Sequence, residues 1–198
     1  SSMHVLVTGA TGFVGFHAAL RLRAEGHRVR ALVRSHAKGE RVLGPLGLGP
    51  EDWVEGHMTD ERAVELATRG CDSVIHAGAA VSVTTGQTDF SANLRGTQVV
   101  MGRALDEGLH AIFISSVTAI FDPNRPATES SPLVHGRTHY GRSKAECDAW
   151  VPDRQAEGCI LYTSDAADEP PCVDLGAPRL TKKKTHEQAR QRPQHTPP

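Results

Sequence analysis

The sequence lacks any apolar run long enough to cross a bilayer, any CxxC spacing and any marked net charge. The four cysteines, Cys71, Cys147, Cys159 and Cys172, stand far apart. That excludes a zinc site of the CxxC type and gives no disulfide framework, so a reduced, cytoplasmic setting is expected. The 22 basic residues oppose 23 acidic ones, so no global field draws the chain to nucleic acid or a membrane surface. The opening Ser1-Ser2-Met3-His4 has neither the basic nor the apolar region of a signal peptide, and Met3 is read as the natural start. No internal repeat is evident. At 198 residues the chain has room for one domain with a sizeable core.

What is present is an alternation of short apolar runs and segments with helical spacing. Strands are expected over His4–Thr8, Arg28–Val33, Asp52–Glu55, Asp72–His76 and Ala111–Ser115. Helices are expected over Phe13–Glu25, Glu61–Thr68, Phe90–Glu107 and Tyr140–Gln155, with a Gly- and Pro-rich loop between Gly39 and Pro50. Strands separated by helices require parallel crossovers, hence an α/β doubly wound parallel sheet. Ligands of such sheets sit beyond the carboxyl ends of the strands, where the distinctive residues should gather.

They do. Thr8-Gly9-Ala10-Thr11-Gly12-Phe13-Val14-Gly15 follows the first strand directly and opens the first helix. Glycines there permit a tight turn and a close approach of backbone to a pyrophosphate, and the helix start supplies unpaired N–H groups. Gly9, Thr11, Gly12, Phe13, Val14 and Gly15 are the expected dinucleotide cradle, although the spacing is GxxGxxG rather than GxGxxG. At the end of the second strand a carboxylate would bind a ribose 2′-hydroxyl, whereas arginine accommodates a 2′-phosphate. The sequence has Val33-Arg34-Ser35, and no carboxylate before Glu40. Arg34, with Ser35 or Lys38 as helpers, therefore points to NADP, with NAD as the alternative.

Tyr140 and Lys144 are four residues apart and so share a helix face. A free phenol has a pKa near ~10, too high for acid–base work at neutral pH, and a neighbouring cation favours its ionised form. The spacing alone also suits a surface tyrosine and a surface lysine. Its place after a strand ending in Ser115-Ser116, downstream of a dinucleotide turn, gives it catalytic meaning.

Val7–Gly15, Val74-Ile75-His76-Ala77-Gly78-Ala79, Asn93-Leu94-Arg95-Gly96-Thr97, Phe113-Ile114-Ser115-Ser116 and Tyr140–Glu146 together resemble the extended short-chain dehydrogenase/reductase family. This NAD-dependent epimerase/dehydratase group contains sugar epimerases, dihydroflavonol-type reductases and hydroxysteroid dehydrogenases, and the resemblance covers about residues 3–158. It implies a Rossmann domain in which Tyr140 gives or takes the proton and Lys144 lowers its pKa and binds the nicotinamide ribose. It also implies that Ser116, rather than Ser115, bonds the substrate oxygen. Gly78 and Ala79 would line the cofactor with Met58 near it, Asn93 would support the central helix, and a homodimer would be the assembly.

Two departures stand out. Gly56-His57-Met58 puts histidine where the family often has an aspartate near the adenine, and Asp60 does not simply replace it. Val117–Asp122 lacks the Tyr-Gly of many sugar epimerases, which with Val29–Arg34 leans toward the dihydroflavonol-reductase-like branch. The expected function is an NADP-dependent carbonyl reductase or alcohol dehydrogenase acting on a small carbonyl or sugar-linked substrate. The alternatives are an NAD-dependent sugar-nucleotide epimerase or dehydratase, and a non-catalytic dinucleotide-binding module.

No metal site is expected, because His135 and His139 read as a solvated pair without a third ligand. Lys182–Lys184 with Arg190 and Arg192 reads as a solvated tail rather than a nucleic-acid surface. The resemblance stops after Gly158. Cys159–Glu169 resembles a translated sequencing adapter, so residues 159–198 are expected to be a non-native or disordered tail. The Rossmann domain would then be C-terminally truncated, which leaves activity of this chain open. A frameshift or a divergent tail are the other readings, and Cys159–Thr163 is β-prone enough to fill a sixth strand position.

Overall fold

The run His4–Thr8 (β1) is buried at every residue, as a strand covered on both faces must be. It pairs in parallel with Arg28–Val33 (β2) on one side and Ser73–His76 (β4) on the other. With Trp53–Glu55 (β3), His110–Ile114 (β5) and Cys159–Tyr162 (β6), it forms a six-stranded sheet in the order β3-β2-β1-β4-β5-β6. The computed structural model describes residues 1–80, 89–128, 130–134, 138–151 and, for backbone alone, 159–162.

Helices cover both faces, and the period-two alternation of β1 divides the core between them. Val5 and Val7 face one side, where they pack with Ala18, Ala19 and Leu22 of α1 (Phe13–Ala24), Leu43 of α2 (His36–Leu43) and Trp53. Leu6 faces the other. There it joins Val64 of α3 (Glu61–Thr68), Val100 and Met101 of α4 (Ser91–Asp106), Phe113, and Cys147 of α5 (His139–Trp150). This is the doubly wound architecture expected from the sequence. Strand order reverses between β1 and β4, whose last residues, Thr8 and His76, are cross-strand partners. The crevice beyond those two residues is the place where such sheets bind ligands.

One element was not anticipated. Part of the expected loop after Gly39 belongs to α2, which Ser35 caps by accepting from the Lys38 N–H at 3.1 Å. Gly39 sits inside this helix because a Cβ there would lie 3.2 Å from the Trp53 ring. The glycine is a packing concession and not a breaker. The sixth strand does form, pairing Cys159–Tyr162 with Ala111–Ile114. The end of the long helix expected to reach Gln155, and the tail from 163 onward, lie outside the described residues. Among the described residues no helix is long and apolar enough to cross a membrane.

Candidate active site

Gly9 leaves β1 with φ +67°, and a Cβ on it would stand 2.6 Å from the Ala77 carbonyl oxygen and 2.7 Å from the Gly78 nitrogen. Only glycine lets the turn lie this close to the end of β4. Gly15 is equally constrained, since its Cβ would collide with the Gly9 carbonyl, so α1 rests directly on the turn. Gly12 caps α1 without any side-chain hydrogen bond, and no acidic residue occupies the first turn. Among the described residues the N–H groups at this helix start meet no carboxylate, and they carry the positive end of the helix dipole. Gly12 and Phe13 are exposed, and Thr11 and Val14 half-buried. A glycine turn that opens a helix in this way can hold the pyrophosphate of a dinucleotide.

Arg34 follows the last residue of β2 and is exposed. Among the described residues no hydrogen bond or ion pair engages its guanidinium. Ser35 is committed to capping α2. The structure adds a residue that sequence spacing did not reveal: Glu55 is the cross-strand partner of Val33. Its carboxylate thus stands beside the end of β2, where it accepts from the His36 backbone N–H at 2.8 Å. His57 is turned to its neighbour, its Nδ1 lying 2.7 Å from the Thr59 hydroxyl. Met58 is buried, packed between Gly78 and Gly96, where a Cβ on Gly96 would strike its side chain.

Past β4, Gly78 and Ala79 are half-buried. Asn93 of α4 holds the next residue by both ends, accepting from the Ala80 N–H at 2.6 Å and donating to the Ala80 carbonyl at 3.2 Å. The same amide donates to the Ser143 hydroxyl at 3.0 Å, so Asn93 ties the segment after β4 to α5.

Helix α5 begins at His139 because Thr138 accepts from the Gly141 N–H at 3.0 Å. Tyr140 is half-buried, edge-on to Phe90, with ring centroids 6.1 Å apart. Burial raises its pKa, and the nearby Ser116 hydroxyl, which lies 2.8 Å from the Thr118 hydroxyl, works in the opposite direction without overcoming it. Ser116 and Tyr140 are therefore brought together. The lowering of the phenol pKa expected from Lys144 is not what this arrangement gives. Instead, the Lys144 ammonium is buried, donates to the Ile114 carbonyl at 2.9 Å and lies 4.4 Å from the centre of the Phe113 ring. Burial lowers its pKa, while Cys147 and Asp148 pull it back up.

Ser115 faces inward and donates to Asp148, one turn after Lys144; the other Asp148 carboxylate oxygen is buried and has no hydrogen-bond partner among the described residues. Nothing in the spacing singled out Asp148, since its role comes from the strand that α5 covers. His139 is exposed at the start of α5, and His135 lies outside the described residues.

The sequence profile of the NAD dependent epimerase/dehydratase family matches residues 5–164, a span that includes β6. The chain is 33% identical over 161 residues to a 4-hydroxy-2-methyl-3-oxo-4-farnesyl-3,4-dihydroquinoline-1-oxide ketoreductase of Stigmatella aurantiaca, covering 79% of this chain and 47% of that protein. Among solved structures, it is similar to a short-chain dehydrogenase/reductase superfamily protein from Agrobacterium tumefaciens with bound NAD. That match has 29% identity and a TM-score of 0.66, covering 80% of this chain and 48% of the other. It is also similar to a UDP-glucose 4-epimerase from Stenotrophomonas maltophila with bound NAD and formylated UDP-arabinopyranose. Here identity is 28% and the TM-score 0.68, covering 81% of this chain and 51% of the other. The chain spans about half the length of the curated relatives it matches.

Proposed function

Since the chain belongs to the NAD dependent epimerase/dehydratase family, we propose that it is the dinucleotide-binding and catalytic part of an NADP(H)-dependent carbonyl reductase or alcohol dehydrogenase. The observation that carries this reading is the approach of Ser116 to Tyr140, one helical turn from the buried Lys144, at the same carboxyl end of the sheet as the uncapped helix start.

In this reading, Gly12 to Gly15 and the α1 N-terminus receive the pyrophosphate. Gly78 and Ala79 form the floor, with Met58 packed behind Gly78. The bound nicotinamide supplies or accepts a hydride. Ser116 holds the substrate oxygen by a hydrogen bond. In the reducing direction the Tyr140 hydroxyl releases its proton to that oxygen, so the carbonyl carbon gains the hydride and its electron pair while the oxygen gains the proton. Lys144, one turn on, holds its ammonium on the Ile114 carbonyl and does not lower the pKa of the resting phenol. Its ammonium would bind the nicotinamide ribose. Arg34 selects the 2′-phosphate of NADP because its guanidinium is exposed at the end of β2. A homodimer is the proposed assembly.

Glu55 supports a second reading. Its carboxylate at the end of β2 suits a free ribose 2′-hydroxyl, and the similar solved structures hold NAD, one of them with a nucleotide sugar. In that case the chain would belong to a sugar-nucleotide epimerase.

The two readings separate by titration with NADPH and NADH, followed by a panel of ketones and UDP-sugars. The reductase reading expects Arg34→Glu to weaken NADPH binding by at least about tenfold while sparing NADH, since a repelled phosphate replaces a charge-assisted pair. It expects Tyr140→Phe to keep binding and to lower turnover by about 10²–10⁴. Retained NAD⁺ with no NADPH oxidation across the ketones would favour the epimerase. Unchanged dinucleotide behaviour in Arg34→Glu would remove the basis for NADP.

A further inference from the structure

Behind the cofactor floor runs a buried chain of polar side chains that neither the phosphate cradle nor the Ser116–Tyr140–Lys144 group uses. The Gly78 N–H donates to the Thr8 hydroxyl oxygen at 3.1 Å. The Thr8 hydroxyl lies 2.6 Å from His76 Nδ1. On the far side of the ring, His76 Nε2 lies 3.1 Å from the Thr97 hydroxyl, which donates to Cys147 Sγ at 3.5 Å. Thr8, His76, Thr97 and Cys147 are all buried.

The direction of every bond follows from its two ends. Thr97 gives its hydrogen to sulfur, so toward the ring it can only accept, which puts the imidazole proton on Nε2. Nδ1 is then an acceptor and takes the Thr8 hydrogen, leaving the Thr8 oxygen free to accept from Gly78. A neutral ring keeps this pattern, since an imidazolium would donate from Nδ1 and leave the Thr8 hydrogen without its acceptor. The environment supplies that condition: full burial and the nearby Lys144 charge hold the His76 pKa down at about 3.

The chain ends where the site begins. At one end it pins the Ala77–Gly78 peptide, against which the Gly9 turn is packed with no room for a Cβ. At the other it reaches Cys147, three residues after Lys144 on α5. A second path runs parallel to it, since the Phe113 ring lies 6.0 Å from the His76 ring and 4.4 Å from the Lys144 ammonium.

We propose that Thr8, His76 and Thr97 are positioning residues, a one-directional hydrogen-bond relay that sets the cofactor floor in register with the helix carrying Tyr140 and Lys144. The proposal rests on the dinucleotide reading of the site. It goes beyond that reading in giving a role in cofactor affinity to Thr97, which lies on α4 and is separated from Gly78 by two other side chains.

The test uses the whole chain and two near-isosteric pairs, Thr8→Val with Thr8→Ser, and Thr97→Val with Thr97→Ser. NADPH and NADH affinities are measured by nicotinamide fluorescence, and stability by urea unfolding. The relay expects Thr97→Val to weaken dinucleotide binding by about tenfold or more, the order of one lost buried hydrogen bond, and Thr97→Ser to restore it. Thr8→Val should do the same. A purely structural role would lower the unfolding midpoint and leave both affinities unchanged in the folded protein, which would overturn the proposal.

Nitrogen-15 NMR of the His76 ring, which needs no cofactor, gives an independent arm. The relay expects the proton on Nε2, and a proton on Nδ1 overturns it. A wild-type chain that binds neither dinucleotide would instead overturn the functional reading, while the ring signals still decide the direction of the relay.

Discussion

At the scale of single residues, the site is governed by what burial does to groups that prefer water. Tyr140, Lys144 and Asp148 each shift toward the neutral form, and burial is the largest cause for all three. His76 shows the clearest consequence. Its folded pKa of about 3 lies below the ordinary 6.5. As pH falls, the unfolded chain therefore binds the proton first. The stability associated with the neutral ring is fully present above pH 6.5 and is lost between there and pH 3. The slope is up to about 1.4 kcal/mol per pH unit. The Lys144 charge near the ring acts in the same direction as burial. Urea midpoints for wild type and His76→Asn at about pH 7 and about pH 4.5 check this. The wild type should lose more stability on acidification than the variant, and equal losses would show that His76 is not the group responsible.

The elements show why some of the fold could be read directly and some could not. β1, β2, α1 and α3 were legible because burial on two faces or one stripe leaves a period in the sequence. Both helix starts that matter are also written locally, as Gly12 for α1 and Thr138 for α5. α2 was hidden because Gly39 reads as a loop signal. The reason for that glycine lies in Trp53, on a different element. The Ser35 cap is the local signal that offsets it. Ser35→Ala should cost about 1 kcal/mol in urea unfolding, the usual worth of such a cap. A loss below a few tenths would mean that Trp53 packing alone holds the helix. Glu55 was missed for a related reason: it meets Val33 across two strands, and no spacing within one segment reports a cross-strand partner.

At the scale of the whole molecule, the sheet brings the glycine turn, Ser116 and the Tyr140–Lys144 helix to one edge, although they are scattered from residue 9 to residue 144. Their residue types and order were legible because each motif is short. The supports behind them were not. Thr8 and His76 are 68 residues apart and Asn93 and Ser143 are 50 apart, and only the topology joins each pair. Asp148 likewise gains its partner Ser115 only when α5 covers β5.

The same topology makes one claim testable without knowing the substrate. Gly12 has extended backbone, φ −94° and ψ 178°, which any residue can adopt, and its Cβ would meet only the Gly9 carbonyl oxygen, at 3.3 Å. An aspartate there would cap α1 with its own carboxylate, the preferred chemistry for that position, while occupying the N–H groups and repelling a phosphate.

The most direct measurement is thermal unfolding of wild type and Gly12→Asp, each with and without NADPH and NADH. The account predicts a wild type stabilised by its preferred dinucleotide, by about 2.7 kcal/mol at a hundredfold excess over Kd. It also predicts a variant that folds at least as stably alone yet gains nothing from either cofactor. A wild type indifferent to both dinucleotides, or a variant stabilised as much as the wild type, would contradict it.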